Sequence, residues 1–439
     1  MSNEVAILIA LVVLVIMLLS GMYIHSLLLA VGVVGVILLG RGAVLPGLMS
    51  YATFTSVATY SMTTIPLYVL CAQLILEAGV VEDLFNLLYN ASKGKRGVLG
   101  TFCIVLGAFL GAVCGSGTAT SAALGQAAYP QLVKRGYKAD LAAAVSPASA
   151  SLAGIIPPSV TIIVYGVATE TPIGRMFIAS MIPGILTTIV FIFCNLFFLN
   201  RENRISRQSG EEKAPFEPVP VDKKSTAISA IVAIIIAITI FGGIYSGFMT
   251  ATEAGAVAAT VAFICALLLG KVNKDFLVRA AKSSVKVTAM VMLIIVGAKI
   301  FGRFMSLSRI SSSFVEMLEP LMDHPEIILI ILIIVYFVLF MLMEGTAVIV
   351  MTTPVLLPVM EAMEVDMLWF GIIVCFCCVI GQLTPPVGVC VYSACGIADI
   401  PVEGPFKYSM LMAIAATVIV GGLMVFFPAV VTWLPSMML

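Results

Sequence analysis

Charged residues are scarce in this sequence. Asp, Glu, Lys and Arg make up 10% of the 439 residues, 61% are hydrophobic, and 23 Lys and Arg balance 23 Asp and Glu. No tract is rich in Lys and Arg, as a nucleic-acid-binding surface would require. The mean hydropathy of +1.15 is typical of a protein that crosses a lipid bilayer many times. We therefore expect an all-α polytopic membrane protein.

Motifs for ATP hydrolysis, haem and zinc are also absent. There is no G-x-x-x-x-G-K-S/T sequence, which argues against an ATPase, and no H-E-x-x-H sequence. His25 and His324 stand alone and cannot supply paired haem ligands. An intramembrane enzyme would need a nucleophile–base pair or a metal cluster, and Cys375–Cys378 without a nearby histidine is a poor candidate. We expect neither an enzyme nor a bound cofactor.

The ten cysteines and the N-terminus fit the same class of protein. Most cysteines lie in apolar segments, where the side chain packs as a small hydrophobic group, and we expect no disulfides. The N-terminus lacks a basic region and a small-residue cleavage site. It is predicted to be the first membrane helix rather than a cleaved signal.

Two interruptions stand out in the apolar sequence between Gly115 and Tyr165. One is the Gly/Ser/Thr-rich stretch Gly115–Thr120, and the other is the doublet Pro157-Pro158. Proline removes a backbone donor and clashes with the preceding helical turn. Unwound backbone at membrane depth is tolerated only where protein or a water-filled cavity satisfies it. These breaks therefore predict a buried functional site.

The same interruptions return in the second half of the chain. Gly117-Thr118-Ala119 corresponds to Gly345-Thr346-Ala347, a spacing of 345 − 117 = 228 residues, and Pro157-Pro158 corresponds to Pro385-Pro386 at the same spacing. Corresponding interrupted segments in two halves indicate the binding site of a secondary transporter.

Segment lengths then predict the shape of each half. Residues 97–133 and 327–360 are too long for one crossing and are broken in the middle, so each is predicted to be a re-entrant helical hairpin. Residues 139–169 and 367–398 are predicted to be helices broken at the proline doublets. The amphipathic stretches Pro46–Tyr60 and Asn273–Lys286 are predicted to lie along the membrane surface as arms.

The charges that flank the hairpins predict opposite orientations. The first hairpin is flanked by Lys and Arg, and the second by Asp and Glu without Lys or Arg. Because cytoplasmic loops are enriched in Lys and Arg, the first hairpin should open to the cytoplasm and the second to the exterior. Residues 1–200 are thus predicted to be a first repeat, 201–224 a cytoplasmic linker, and 225–439 an inverted second repeat.

Long sequence motifs at these positions resemble a known family. They are GSGTATSAALGQAAYPQLVKRGY and GIIPPSVTIIVYGVATETPIGRMFIASMIPGI in the first half, and FMTATEAGA, TPVLLPV and FGIIVCFCCVIGQLTPPVGV in the second. Together they resemble the large membrane subunit of tripartite ATP-independent periplasmic (TRAP) transporters, of the DctM or SiaM type.

This resemblance implies a sodium-coupled importer of a small organic acid, such as a C4-dicarboxylate or sialic acid, in the bacterial inner membrane. It also implies an elevator-type movement of the hairpin-bearing part. The implied partners are a small four-helix membrane subunit of the DctQ type and a periplasmic substrate-binding protein of the DctP type. The alternative is an autonomous Na⁺/carboxylate transporter of another hairpin-bearing family.

The breaks themselves predict the site chemistry. A helix that starts at a break directs unpaired N–H groups and a positive dipole end at an anion, whereas free carbonyls and hydroxyls suit Na⁺. The predicted substrate-binding residues are Ser116, Gly117, Thr118, Pro157, Pro158, Gly345, Thr346, Pro385 and Pro386. The predicted Na⁺ ligands are Ser116, Thr118, Ser149, Ser151, Gly154, Glu344, Gly345, Thr346, Gly381 and Thr384. Small and hydroxylated residues also allow close helix packing, which is the alternative explanation, above all for Ser149 and Ser151.

Two cations lie on one apolar helix, Lys299 and Arg303. Ionisable residues inside a membrane are functional candidates. Lys299 could pair with Glu344 or bind an anion. Alternatively, both cations reach the outer surface or contact a partner subunit.

Overall fold

The computed structural model describes residues 3–114, 116–208, 218–321 and 325–437, and its regular structure there is helical without strands. The predictions for Gly115, for residues 209–217 of the linker and for His324 lie outside this range. The helices of the first half are α1 (Asn3–Leu19), α2 (Ile24–Leu38), α3 (Gly42–Val57), α4 (Tyr60–Glu77), α5 (Val80–Ala91), α6 (Arg96–Cys114), α7 (Gly117–Lys134), α8 (Ala139–Ser151), α9 (Val160–Ala168) and α10 (Ile173–Gln208).

The helices of the second half follow the same order. They are α11 (Lys223–Tyr245), α12 (Ala251–Leu268), α13 (Lys274–Ser308), α14 (Ile310–Leu318), α15 (Pro325–Leu342), α16 (Gly345–Ala362), α17 (Met367–Gly381), α18 (Val389–Ala398), α19 (Glu403–Phe426) and α20 (Ala429–Ser436). Helices α7 and α16 correspond at both ends, since 345 − 117 and 362 − 134 both equal 228. The proline doublets both contain a cis peptide bond.

The helices are long and apolar enough for a membrane protein. In the described ranges six helices could each cross a bilayer, or seven if the bent pair α3 and α4 counts as one span. The six are α10, α11, α12, α13, α16 and α19. The hairpin helices α6 and α15 contain shorter apolar stretches. The predicted all-helical, polytopic class is thereby confirmed.

The helix breaks lie where the sequence predicts them. Residues 97–133 form α6 and α7 with an interruption before Gly117, and residues 327–360 form α15 and α16 with an interruption before Gly345. The two proline-broken helices are α8 with α9, and α17 with α18. The re-entrant course and the inverted orientation concern the membrane, and they stay predictions.

One predicted arm is not bounded by a break. The stretch Asn273–Lys286 runs directly into the following span as the single helix α13, and its course along the membrane surface stays a prediction. The Asn273 side chain caps this helix by accepting a hydrogen bond from Phe276 N at 2.8 Å, and residues 274–286 contain no Gly or Pro that would separate them from the following span. The first arm, α3, is by contrast bent by 60° from α4.

Small residues bring the peripheral helices together. A β-carbon at Gly32 of α2 would lie 2.8 Å from Phe301 N of α13, and one at Gly297 would lie 2.8 Å from His25 O. Helices α4 and α12 are joined by the buried hydroxyl pair Thr64 and Thr252, whose Oγ1 atoms are 2.6 Å apart. Close approach through small residues and hydrogen bonds between helices are typical of membrane proteins.

Polar contacts also join the two halves. The Asp83 carboxylate of α5 accepts hydrogen bonds from Ser225 Oγ at 2.5 Å and Ser229 Oγ at 2.8 Å, both on α11. Asn90 at the end of α5 pairs with the backbone of Val219, donating at 2.8 Å and accepting at 2.9 Å. The linker beside α11 is thus fixed to the first half of the chain.

Candidate functional site

The first hairpin tip is the start of α7. Ser116 is the N-cap residue, with an extended backbone, and its Oγ accepts a hydrogen bond from Ala119 N at 3.4 Å. The Thr118 hydroxyl lies 3.2 Å from Ser116 Oγ. Ser, unlike a hydrophobic residue, can satisfy a free N–H at a helix start, which explains why the helix begins here. The tip therefore presents two neighbouring side-chain oxygens.

The second hairpin tip is capped by a carboxylate. Glu344 precedes α16, and its Oε2 accepts hydrogen bonds from Thr346 N at 2.9 Å and Ala347 N at 3.4 Å, and from the Thr346 hydroxyl. Glu344 is exposed, whereas Gly345 and Thr346 are buried. A carboxylate at a helix N-terminus is favoured by the free N–H groups and the helix dipole. Glu344, an exposed residue, thus stabilises the second tip by capping the start of α16.

The first proline break is fully packed. After α8 the chain forms a short 3-10 turn, Leu152–Gly154, and then passes through the buried Pro157-Pro158 doublet. Ser159 caps α9, accepting from Ile162 N at 3.5 Å and donating to Gly154 O at 3.2 Å. The break is therefore stabilised by its own side-chain hydrogen bonds.

The second proline break is more open. Thr384 Oγ1 is buried and donates to Ile380 O at 2.7 Å, which leaves its lone pairs available to a cation. Pro385 is half-buried and Pro386 exposed. Gly388 adopts a positive φ of 52°, which favours glycine, and its N–H donates to Met341 O at 3.3 Å. This bond ties the second break to the end of α15.

Gln382 joins the second break to both hairpin tips. Its buried amide donates to Cys378 Sγ at 2.9 Å and accepts from the Cys390 thiol at 2.9 Å. A β-carbon at Gly117 would lie 2.6 Å from Gln382 Oε1, and one at Gly345 would lie 2.5 Å from Cys378 Sγ and 3.7 Å from Gln382 Nε2. Both tip glycines therefore allow a close approach to one polar cluster, which consists of Cys378, Gln382 and Cys390.

Each tip also packs on a broken helix of the opposite half. Ser121 Oγ of α7 donates to Cys390 O at 2.6 Å, and Ser393 Oγ of α18 donates to Thr118 O at 2.9 Å. On the other side, a β-carbon at Gly345 would lie 3.5 Å from Thr161 Oγ1 of α9. The two hairpins and the two broken helices thus meet at one centre.

Four of the predicted Na⁺ ligands lie in tight helix packing. Ser149 and Ser151 are fully buried and donate to carbonyls of their own helix, Ser146 O at 2.8 Å and Ala148 O at 3.0 Å. Ser149 also packs directly against Gly107 of α6. Gly154 and Gly381 allow close packing as well, against Val379 and against Phe340. For these four residues the contacts support helix packing.

Lys299 and Arg303 lie away from the tips. Both line a chamber of about 1210 Å³ between α13, the arm α3, the loop after α9, and α16. Within the described ranges neither forms a salt bridge, and Glu344 is held by Thr346 and Ala347 instead. The suggested Lys299–Glu344 pair is therefore not formed in this structure.

Gln382 and Cys390 are not among the site residues predicted from the sequence. A signal was present, because Gln382 is a lone amide directly before a proline break, after the apolar run of α17. Polar residues at such depth are costly and therefore informative. In the described part of the chain there is no group of three or more His, Cys, Asp or Glu that could hold a metal ion.

Comparison with known proteins connects this geometry to a family. The family model described as tripartite ATP-independent periplasmic transporter, DctM component, matches residues 11–437. The sialic acid TRAP transporter large permease protein SiaM of Vibrio cholerae is 26% identical over 87% of this chain and 87% of its own length. The C4-dicarboxylate TRAP transporter large permease protein DctM of Pseudomonas aeruginosa is 28% identical over 86% of both chains.

A solved structure shares the fold. The crystal structure of the YdaH transporter of Alcanivorax borkumensis aligns with a TM-score of 0.63, covering 88% of this chain and 89% of that chain at 13% sequence identity. At this identity the likeness extends to the fold alone.

Proposed function

Because this chain belongs to the DctM family of large permease components of TRAP transporters, we propose that it carries a small organic acid across the membrane together with Na⁺. The family comprises transporter permeases rather than enzymes, and the chain is a multi-pass inner-membrane protein. The names of its relatives, which specify sialic acid and a C4-dicarboxylate, support a carboxylate substrate.

The meeting of two capped hairpin tips at one polar centre is the observation that carries this proposal. Helices α7 and α16 both begin there. Because the Glu344 carboxylate already accepts from Thr346 N and Ala347 N at the start of α16, the N-terminal N–H groups of α7 are the ones that can favour a substrate anion. Ser116 and Thr118 at one tip, Glu344 and Thr346 at the other, and Thr384 at the second break provide the hard oxygen atoms that Na⁺ requires. Anion and cation sites side by side would couple the two fluxes.

We further propose that the two halves are inverted repeats and that the hairpin-bearing helices move as an elevator. The matched spacing of α7 and α16, and of α8 and α17 (367 − 139 = 228), supports the repeat. The basic flanks of the first hairpin and the acidic flanks of the second support the inversion. A small membrane subunit and a periplasmic binding protein are the expected partners.

Cysteine labelling tests the inversion. Lys95 and Glu361 are exposed residues at the outer ends of the two hairpins. We expect Lys95→Cys to react with a membrane-impermeant thiol reagent only from the cytoplasm, and Glu361→Cys only from the exterior. The unmodified chain supplies the background, because its described cysteines are buried or half-buried. Reaction of both variants from the same side would exclude inverted repeats.

Uptake measurements test the coupling and the role of Thr384. In proteoliposomes with all three components, we expect carboxylate uptake to follow an inward Na⁺ gradient. Thr384→Val should raise the Na⁺ concentration for half-maximal uptake about tenfold, since losing one oxygen partner costs on the order of 1–3 kcal/mol.

Thr417→Val is the matched control for this variant. Thr417 also donates to its own helix, to Ala413 O at 2.8 Å, but it lies on α19, which is neither a hairpin helix nor a proline-broken helix. Its Na⁺ dependence should be that of the unmodified chain. Uptake driven equally well by a proton gradient without Na⁺ would overturn the proposed Na⁺ coupling. An unchanged Na⁺ dependence in Thr384→Val would exclude Thr384 as a Na⁺ ligand and leave the other proposed ligands in place.

A further inference from the structure

The chamber that contains Lys299 and Arg303 has the chemistry of a second binding site. Its volume of about 1210 Å³ exceeds that of typical ligand pockets, which measure roughly 300–1,000 Å³. None of the tip or break residues predicted to bind substrate lines it. It is therefore separate from the polar centre at the tips, yet α16 contributes to both places.

The two cations share one face of α13. Residues four apart are neighbours on a helix surface, and Ser306, three residues further on, lines the same chamber. Lys299 and Arg303 are exposed and form no salt bridge or hydrogen bond within the described ranges. A carboxylate also lines the chamber, that of Glu170, but it is not paired with either of them there. Unpaired charges inside a membrane-spanning helix are costly unless water or an anion meets them.

Two of the hydroxyl groups on the chamber walls already use their protons within their own helices. Ser56 Oγ donates to Thr53 O at 2.7 Å and Thr353 Oγ1 donates to Ile349 O at 2.6 Å. Such hydroxyls offer lone pairs rather than protons to a ligand. Among the residues that line the chamber, Lys299 and Arg303 are the charged donors that an acid group can meet there.

We propose that Lys299 and Arg303 bind the acid group of an organic anion in this chamber, apart from the hairpin tips. The chamber is thus a holding site, in which the anion rests before it reaches the tips. That second role depends on the transport function proposed above, whereas anion binding in the chamber does not. Its position between α13 and the hairpin helix α16 puts the site at the boundary across which the proposed elevator would move.

Charge-selective labelling tests the anion site without any transport. Ser306→Cys is placed in the full-length chain in phosphatidylcholine nanodiscs and reacted with two methanethiosulfonates, the anionic sulfonatoethyl reagent and the cationic trimethylammonium reagent. The rate ratio is the labelling rate with the anionic reagent divided by the rate with the cationic reagent. Because two positive charges nearby should favour the anionic reagent, we expect this ratio at Ser306→Cys to be about tenfold higher than at the exposed control Ser246→Cys. Ser246 does not line the chamber.

Removal of the charges should abolish this preference. In the Ser306→Cys chain, Lys299→Gln with Arg303→Gln should bring the rate ratio to the Ser246→Cys value, whereas the charge-preserving pair Lys299→Arg and Arg303→Lys should keep it high. Ser61→Cys, on the opposite wall of the chamber, is a second reporter if one variant folds poorly. The proposal would be overturned if the rate ratio at Ser306→Cys were no higher than at Ser246→Cys. It would also be overturned if the Lys299→Gln and Arg303→Gln pair left the ratio at Ser306→Cys unchanged.

Competition identifies the bound group. Succinate should slow labelling of Ser306→Cys, whereas the neutral succinamide should not, and the Gln pair should abolish the difference. Protection that appears only when phosphatidylglycerol is added to the nanodiscs would instead assign the cations to a lipid headgroup and contradict the proposal. Because no uptake is measured, failure of the Na⁺ coupling would leave these results unchanged.

Discussion

Gly345→Ala is expected to lower Na⁺-dependent uptake about tenfold to a hundredfold, and Cys378→Ala is expected to restore most of the loss. The new β-carbon would lie 2.5 Å from Cys378 Sγ, in a site that is buried on both sides. Overpacking of this kind costs about 1–3 kcal/mol, and here it would displace the second hairpin tip from the polar cluster. Without that sulfur, the nearest remaining atoms lie 3.5 Å away or more, which is an ordinary contact distance.

The rescue separates a local clash from general damage. Gly396→Ala is the matched control, because a β-carbon at Gly396 of α18 meets nothing within 4 Å, and it should transport normally. Protein amount and thermal unfolding are measured for each variant. If the double variant Gly345→Ala/Cys378→Ala stayed as inactive as the single one, the contact between tip and cluster would not be the cause.

The second large effect concerns the partners. We expect the purified chain alone to give no uptake of free substrate in proteoliposomes, and full uptake only with the small membrane subunit and the loaded binding protein. The reason is family membership, since the DctM family is defined as one component of a tripartite transporter. The measurement is uptake of labelled carboxylate at a fixed Na⁺ gradient, with components omitted one at a time.

Robust uptake by the chain alone would instead support an autonomous carboxylate transporter. The tip-cluster variants remain informative in that case, because both mechanisms would use the hairpins. Normal protein insertion should be verified by labelling of Lys95→Cys, so that loss of uptake cannot be attributed to a missing protein.

Features set by local sequence could be predicted well. The breaks before Gly117 and Gly345 follow from residues that end or start helices, and the proline doublets cannot sit inside a regular helix. Their repetition at a spacing of 228 residues also predicted which segments meet. The family resemblance is confirmed over residues 11–437.

Features set by tertiary packing could not be predicted in the same way. The amphipathic stretch before Val287 predicts a surface arm, but it forms one unbroken helix, α13, with the span that follows. Helix α5 was missed, although Val80, Leu84 and Leu88 recur with helical spacing. The role of Gln382 depends on two glycines that are distant in sequence, and no local pattern brings them together.

The polar cluster has a consequence for the symmetry of the two halves. By the 228-residue spacing, Gln382 corresponds to Gly154 (382 − 228 = 154), and a β-carbon at Gly154 would lie 3.2 Å from Val379 Cγ2 and 3.7 Å from the same Cys378 sulfur that Gln382 contacts. A second amide side chain starting from Gly154 would therefore compete for occupied space. At this position the two halves therefore differ, because the small residue of the first half leaves space for the one amide that lies beside both tips.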